Sequence, residues 1–332
     1  MNNFKKIGMT ALAASLVSTS VFAGELTASG GASLTMEGFS GKEALSDTTI
    51  SMGDSVVLSG STELDNGMTV TMSFELDGDS EDGDGTSSYD SNSLTIASDA
   101  LGTMTFHAHG GETAASALDA TAAGDMYDNF DELRSGNAAT KAAALGNNGI
   151  YYTLPSMVDG LAVNASLSTD SNSAAAVADN TGNSALGYSA TYSGVEGLSI
   201  SYGISDIETG TASTSGDQTV MKASYAYGPV TVAYSNSEFD IGTAADEASE
   251  QEVTSYAVSY TVSDSISVTY GSETIESGLA GSIDAEYEGI SASYTAGGMT
   301  ISASKQSGDN TSHVTAATDN WDYWSLGLSF AF

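Results

Sequence analysis

The sequence predicts an all-β protein: a closed transmembrane antiparallel β-barrel of about 16 strands, with the third long loop folded into the lumen. Three observations lead to this prediction. Apolar and polar residues alternate with a period of two along most of the chain, which is typical of strands with one apolar face. Long polar connections alternate with tight turns, as expected for a barrel threaded from one side of a membrane. The chain contains 37 Gly but only two Pro, the residue that most strongly disfavours strands.

The first 23 residues have the parts of a secretory signal peptide. Lys5 and Lys6 form the positive region, Ile7–Val17 the short apolar region, and Val21–Ala23 the cleavage site. We expect cleavage after Ala23, which leaves residues 24–332 as one transmembrane barrel domain. A retained helical anchor is the alternative, but no segment approaches the roughly 18 uncharged apolar residues that a membrane helix needs.

Five strands are predicted before the long central loop. In Leu26–Phe39, the side chains of Ala32 and Leu34 point to one face and those of Ser33 and Thr35 to the other. A tight turn is predicted at Asp65-Asn66-Gly67, because Asn-Gly tolerates positive φ. The five predicted strands are Leu26–Phe39, Ser55–Leu64, Met68–Asp77, Ser93–Ser98 and Thr103–His109.

The segment 111–148 is the longest part of the mature chain without strand alternation, about 38 residues. It combines acidic residues with apolar ones such as Met126 and Phe130, so it is able to pack against a surface. We expect it to narrow the lumen and to supply fixed charges there, because a low-dielectric wall focuses their field. An exposed acidic loop outside the lumen is the alternative. The candidate constriction residues are Glu112, Asp119, Asp125, Asp128, Asp131 and Glu132.

The rest of the chain repeats the rhythm of strand, tight turn, strand and long loop. In all, eight long loops and seven tight turns separate sixteen candidate strands, so both chain ends fall at the tight-turn end. The strands predicted after the central loop are Ile150–Leu154, Leu161–Thr169, Ala185–Tyr192, Leu198–Asp206, Thr219–Tyr227, Val230–Ser237, Val253–Val262, Ile266–Thr274, Ile283–Thr295, Met299–Gln306 and Tyr323–Phe332.

The apolar face of these strands is predicted to point outward, to lipid. In the last strand, Leu328 and Phe330 lie on the apolar face and Ser325 and Ser329 on the other. Sixteen strands enclose far more volume than small side chains fill, so the hydroxyl-rich face lines water. Backbone groups in lipid must be paired, which requires the first and last strands to meet.

The inward face is predicted to be acidic, with Glu273 among its members. Lys222 is the one basic side chain that alternation assigns to the lumen. His107 and His109 lie inward at the root of the long loop, either as weak positive partners of the acids or simply solvated. We therefore expect strong cation preference. The candidate lining residues are Glu37, Glu63, Glu75, Asp77, His107, His109, Lys222, Asp284 and Glu286.

The net charge restricts the partners of this protein. The formal charge is −36, and all 43 acidic residues lie beyond the signal segment. Such a chain repels nucleic acid and attracts cations. No Cys is present, so disulfides do not contribute to stability. The five basic residues of the mature chain are Lys42, Arg134, Lys141, Lys222 and Lys305.

The acidic segment Asp77–Gly85 is a candidate site for a hard cation, although no cofactor is required. Carboxylate oxygens suit Ca²⁺ or Mg²⁺, but the segment lacks the terminal Glu and the Gly placement of a helix–loop–helix calcium site. A solvated acidic loop is the alternative. The candidate ligands are Asp77, Asp79, Glu81, Asp82 and Asp84.

Taken together, the signal peptide, the sixteen strands, the long third loop and the terminal Phe332 resemble the general diffusion porins of Gram-negative outer membranes. Gly24–Glu37 and Leu328–Phe332 resemble the alphaproteobacterial branch in particular. The resemblance implies an outer-membrane homotrimer, a water-filled pore for small hydrophilic solutes and ions, and an assembly machinery that recognises Phe332. The family's wall arginines are missing here. Small outward residues of the first strand, such as Gly30, indicate either a contact with another subunit or only that strands tolerate Ala and Gly.

The sequence also permits two other functions: a substrate-specific outer-membrane channel, and a secreted soluble β-rich adhesin or surface protein. Heat-dependent migration on a detergent gel distinguishes the barrel from the adhesin. An enzyme is not expected, because His107, His109 and His313 are the only histidines and none lies in a nucleophile motif.

Overall fold

The computed structural model describes residues 25–40, 48–77, 91–119, 121–133, 148–170, 183–208, 215–240, 250–278, 280–313 and 320–332. These residues form sixteen strands in one closed barrel, in which every strand pairs with its sequence neighbours. The strands are β1 (Glu25–Ser40), β2 (Thr49–Glu63), β3 (Thr69–Asp77), β4 (Ser91–Ser98), β5 (Gly102–His109), β6 (Gly149–Thr153), β7 (Leu161–Asp170), β8 (Asn183–Tyr192), β9 (Leu198–Glu208), β10 (Gly216–Tyr227), β11 (Val230–Asp240), β12 (Gln251–Ser263), β13 (Ile266–Ser277), β14 (Ala285–Ala296), β15 (Met299–Asp309) and β16 (Trp321–Ala331).

The barrel closes through the two ends of the chain. β1 pairs antiparallel with β16. The amide of Gly30 donates to the carbonyl of Phe332 over 2.8 Å, and the amide of Phe332 donates back to Gly30 over 3.0 Å. The predicted closed antiparallel barrel is therefore confirmed.

Apolar side chains cover the outside of the barrel, as predicted. Tyr260 and Phe330 are 49% and 45% exposed. Hydroxyl side chains pair across neighbouring strands on the opposite face, for example Ser259 with Thr269 at 2.8 Å. Among the residues that the structure describes, no helix has the length and apolar character of a membrane span.

Several strands extend further at the long-loop end than alternation indicates. β2 begins at Thr49 rather than Ser55. β14, in contrast, begins at Ala285, two residues after its predicted start. The predicted tight turn is present: Gly67 has φ +80°, and the amide of Leu64 donates to the carbonyl of Met68 over 2.8 Å.

The largest apolar core lies inside the barrel, against one part of its wall. There the inward face carries aromatic rings, and they pack on the long loop between β5 and β6. Ring centroids of Phe130 and Tyr287 are 5.3 Å apart. The buried members of this core are Met126, Tyr127, Phe130, Val253, Ile275, Ala285, Tyr287, Trp321 and Tyr323.

Candidate constriction of the lumen

The β5–β6 loop runs along the inner wall and is shaped by its own hydrogen bonds. It contains two 3₁₀ helices, η1 (Ser116–Leu118) and η2 (Met126–Leu133). Between them, the Thr121 hydroxyl donates to the Asp125 carboxylate over 2.8 Å and accepts from the Asp125 amide at 2.8 Å. Asp119 and Asp125 have φ values of +66° and +52°, a conformation that Asp tolerates better than most residues.

The first part of the loop is bound to β7 and β10. The buried amide of Ala114 donates to the Ser166 hydroxyl over 2.8 Å. The Ser116 hydroxyl donates to the Gln218 side-chain carbonyl over 3.3 Å. These bonds hold the first part of the loop against the wall.

Lys222 on β10 binds the end of η1. Its ammonium group donates to the Thr121 carbonyl at 2.8 Å, the Asp119 carboxylate at 3.3 Å and the Leu118 carbonyl at 3.4 Å. The lysine side chain is 27% exposed and that of Asp119 is 50% exposed. These three bonds direct the positive charge of Lys222 at the loop.

Three more strands bind the second part of the loop. The amides of Ala122 and Ala123 both donate to the Ser255 hydroxyl on β12, at 3.1 and 2.9 Å. The amide of Tyr127 donates to the fully buried Glu273 carboxylate on β13 over 3.3 Å. The Asn129 side chain donates to Gln306 on β15 over 2.9 Å.

The second 3₁₀ helix is anchored by apolar burial. Phe130 is completely buried, and Met126 is 4% exposed. The Phe130 ring lies 6.1 Å from that of Tyr323 and 6.3 Å from that of Phe39. Burying a side chain of this size contributes on the order of 2 kcal/mol, so the helix is held firmly to the wall.

The predicted constriction residues divide into three groups. Glu112 is exposed near the start of the loop. Asp119 and Asp125 accept the hydrogen bonds described above and help to shape the loop, and Asp128 lies in the first turn of η2 and is half-buried. Asp131 and Glu132 belong to the same helix, but their side chains lie outside the described residues.

Most predicted lining residues occupy inward positions by strand alternation. Glu37 accepts a 2.6 Å hydrogen bond from the Tyr323 hydroxyl, and Glu75 accepts one of 3.3 Å from Ser91. Glu63 lies at the tight-turn end of β2. The inward positions predicted for Asp77, His107 and His109 share a face with Ser73 and Thr105, opposite the exposed Met72 and Phe106.

Two lining predictions are wrong. Glu286 shares the outward face of β14 with the exposed Ile290, whereas Ala285 and Tyr287 are buried on the inner face. Asp284 is exposed and lies in the connection before β14. For Glu286 the reason is that the outward face carries acids where the strand continues beyond the apolar band, so polarity no longer marks the lumen there. For Asp284 the reason is that the strand begins one residue after it.

Several predicted residues lie outside the described ones. These are the signal segment, the basic residues Lys42, Arg134 and Lys141, and most of the candidate cation loop. In the described part of the chain, no group of three or more acidic or histidine side chains is arranged to hold a metal ion. The candidate ligands outside the described residues are Asp79, Glu81, Asp82 and Asp84; Asp77 ends β3.

The wall residues that hold the loop were not identified from the sequence. Ser255 resembles many other inward serines, and Gln218 gives no signal of a partner 102 positions away. Glu273 was assigned to the lumen, but its burial under the loop depends on a contact across 146 residues. Strand alternation gives the face of a residue and not its long-range partner.

A family model of Gram-negative porins matches residues 8–285. The chain belongs to this family. The resemblance to Gram-negative porins is thus confirmed, and the protein is an outer-membrane porin built on a transmembrane β-barrel. The porin family consists of channels rather than enzymes.

Solved structures with a similar fold include a triple mutant of the Rhodopseudomonas blastica porin. It is 19% identical to this porin over 93% of this chain and 100% of that chain, with a TM-score of 0.64. A second mutant of the R. blastica porin, with the same coverage, is 18% identical with a TM-score of 0.65. No curated protein sequence matches the chain. At these identities the similar structures establish the fold.

Proposed function

We propose that this porin is a water-filled channel for passive diffusion of small hydrophilic solutes and ions, with a preference for cations. The observation that carries the proposal is the set of charges on the inner surface. Carboxylates face the lumen from β1–β3 and from the loop. In the described residues, one lysine points inward, and it already donates to Asp119 and two loop carbonyls.

The sign of the selectivity follows from where these charges lie. The wall contacts of the loop fall on β7, β10, β12, β13 and β15. In the ring of strands, β2–β4 lie on the remaining arc, between β15 and β7 by way of β1. Fixed carboxylates border the space between them, and a low-dielectric wall strengthens their field. Lys305 lies on the outward face of β15 and does not offset them.

The experiment is the reversal potential of the purified porin in a planar bilayer under a KCl gradient. We expect the sign that corresponds to K⁺ preference. Replacing Glu75 and Asp77 by Gln and Asn should lower this preference, since both carboxylates are assigned to the lumen. Asp322→Asn on the outward face of β16 is the matched control and should leave it unchanged. Preference for Cl⁻ in the unmodified porin would refute the proposal.

Solute specificity needs a separate measurement. Channel conductance in the presence of neutral sugars of increasing size should fall gradually for a diffusion pore. Saturable block by one solute would instead support the substrate-specific alternative. The proposed function includes no catalytic step.

We also propose a homotrimer whose contact includes the outer face of β1 and β2. Asp54 lies on that face between the exposed Met52 and Val56, opposite Ala32. A carboxylate among lipid-facing side chains is unfavourable in contact with acyl chains, and another subunit would cover it. The mass of the unheated complex in detergent tests this: a monomer would contradict the proposal.

Two smaller proposals complete this function. Phe332 is proposed as the residue recognised by the barrel-assembly machinery, and its deletion should reduce the amount of folded porin in the outer membrane.

The second proposal is that Ca²⁺ or Mg²⁺ binds to the acidic loop 77–85 and raises the heat stability of the porin. A melting curve that a chelator leaves unchanged would count against a structural ion.

A further inference from the structure

Glycines occupy the inner wall where the β5–β6 loop lies on it. They stand at inward positions of five strands, and each touches either the loop or side chains that the loop contacts. A glycine inside a strand is unfavourable, because it has no side chain to pack and loses the most backbone freedom on folding. Its repeated use under the loop therefore requires an explanation. The five glycines are Gly187, Gly203, Gly271, Gly289 and Gly308.

The space above these glycines is filled by the loop itself. A β-carbon added at Gly271 would lie 2.6 Å from the Ala123 β-carbon. One added at Gly203 would lie 2.9 Å from the Ala115 α-carbon and 2.8 Å from a methyl group of Leu118. Carbon atoms in contact are about 3.5–4.0 Å apart, so each added methyl group would move the loop by about 1 Å.

We propose that these wall glycines are pore-size-determining residues: they set how far the loop stands from the wall and therefore how wide the open lumen is. The hydrogen bonds that loop amides donate to Ser166, Ser255 and Glu273 fix the position of the loop along the wall. The glycines fix its distance from the wall, since backbone lies directly on backbone at Gly203. This inference rests on the proposed channel function.

The test exchanges one methyl group between wall and loop. Gly271→Ala should lower single-channel conductance, because the loop moves into the lumen. The double variant Gly271→Ala with Ala123→Gly should restore it, since one methyl group remains in the same space. Gly31→Ala is the matched control: it adds a methyl group to the inner face of β1, where the one atom of the described residues within 4 Å of it is the Phe330 carbonyl oxygen, at 3.3 Å. Its conductance should equal that of the unmodified porin.

A second pair of variants tests the same inference at another wall glycine, Gly203. Gly203→Ala should lower conductance, and Leu118→Ala in the same chain should restore part of the loss. Folding of each variant is monitored by heat-dependent migration on a detergent gel. Should a single variant fail to fold, recovery of folding in its double variant supports the inference, and failure of the double variant as well contradicts it.

Unchanged conductance in Gly271→Ala and Gly203→Ala would overturn the inference, as would a loss that the second substitution does not restore. The proposed selectivity is tested separately by the reversal potential of the unmodified porin. Anion preference together with restored conductance in the exchange variants would refute the selectivity and leave the role of the glycines standing.

Discussion

The charged group of Lys222 binds the loop rather than facing the open lumen. Its ammonium group donates to Asp119, to the Leu118 carbonyl at the end of η1 and to the Thr121 carbonyl just after it. Replacing it by Met removes these bonds and keeps the length of the side chain. Hydrogen bonds to charged groups contribute about 2 kcal/mol, so we expect amides of the loop near Leu118 to exchange on the order of 30-fold faster. Hydrogen exchange with mass spectrometry measures this.

Lys305→Met is the control for that experiment, since Lys305 carries the same charge on the outward face. It should leave exchange in the loop unchanged. Equal exchange in Lys222→Met and the unmodified porin would show that the loop is held without this lysine.

Glu273 is expected to be the most sensitive of the buried loop contacts. Its carboxylate accepts the amide of Tyr127, and its side chain is fully buried. Glu273→Ala leaves that amide without its acceptor and creates a cavity, which should destabilise the packed loop by about 2–4 kcal/mol. Glu273→Gln retains an acceptor of the same shape and should cost less than about 1 kcal/mol. Proteolysis of the loop under native conditions compares the two; equal cleavage in both would contradict this role.

Alternation along each strand identified Lys222 and Glu273 as inward residues, but it did not identify what they bind. The reason is physical: the lumen face is constrained only to be polar, so a serine that binds the loop looks like a serine that faces water. The wall glycines carried more information. A glycine such as Gly271 inside a strand indicates that another backbone approaches closely, and this signal was present in the sequence.

At the scale of the element, β14 shows where alternation fails. The sequence pattern assigned Glu286 to the lumen because it is acidic. The structure instead buries Tyr287 against Phe130 and leaves Glu286 outside. At the long-loop end of this strand, two features reverse the usual arrangement of apolar side chains outside and polar side chains inside. The loop makes the inner face apolar, and the end of the apolar band makes the outer face polar. Both depend on neighbours that the strand itself does not specify.

The closure between β1 and β16 gives a prediction at the same scale. A β-carbon added at Gly30 would lie 2.8 Å from the Ser55 carbonyl and 3.0 Å from the Phe332 ring. This ring accounts for one of the small outward residues of β1. Gly30→Val should therefore weaken the closure by about 1–3 kcal/mol, the usual effect of overpacking. The temperature at which the folded band disappears on a detergent gel should fall.

Gly60→Val serves as the matched variant for that measurement. Gly60 also points outward, and no atom of the residues that the structure describes lies within 4 Å of an added β-carbon there. The same side chain is therefore added to the same kind of surface, but without a steric conflict. A similar fall of the transition temperature in both variants would mean that the Phe332 ring does not limit Gly30.

For the whole molecule, the topology was predictable because membrane insertion imposes strict conditions on the sequence. Every backbone group in lipid must be paired, which requires closure, and threading from one side separates long loops from tight turns. Asn66-Gly67 and the other tight turns therefore carried reliable information. The course of the loop inside the lumen was only partly predictable. Burial of Met126 and Phe130 follows from their apolar character, but the strands that they contact depend on the completed barrel.

The proposed selectivity belongs to the whole barrel, because it comes from the summed field of many carboxylates. Such a field is screened by salt: the Debye length is about 30 Å at 0.01 M and about 3 Å at 1 M. We therefore expect strong cation preference in dilute KCl that declines as the concentration rises at a constant ratio across the bilayer. The reversal potential measures this series. A preference that stays constant over the whole range would indicate selection at close contact, by ion size or direct binding, rather than by the distributed charge of the lumen.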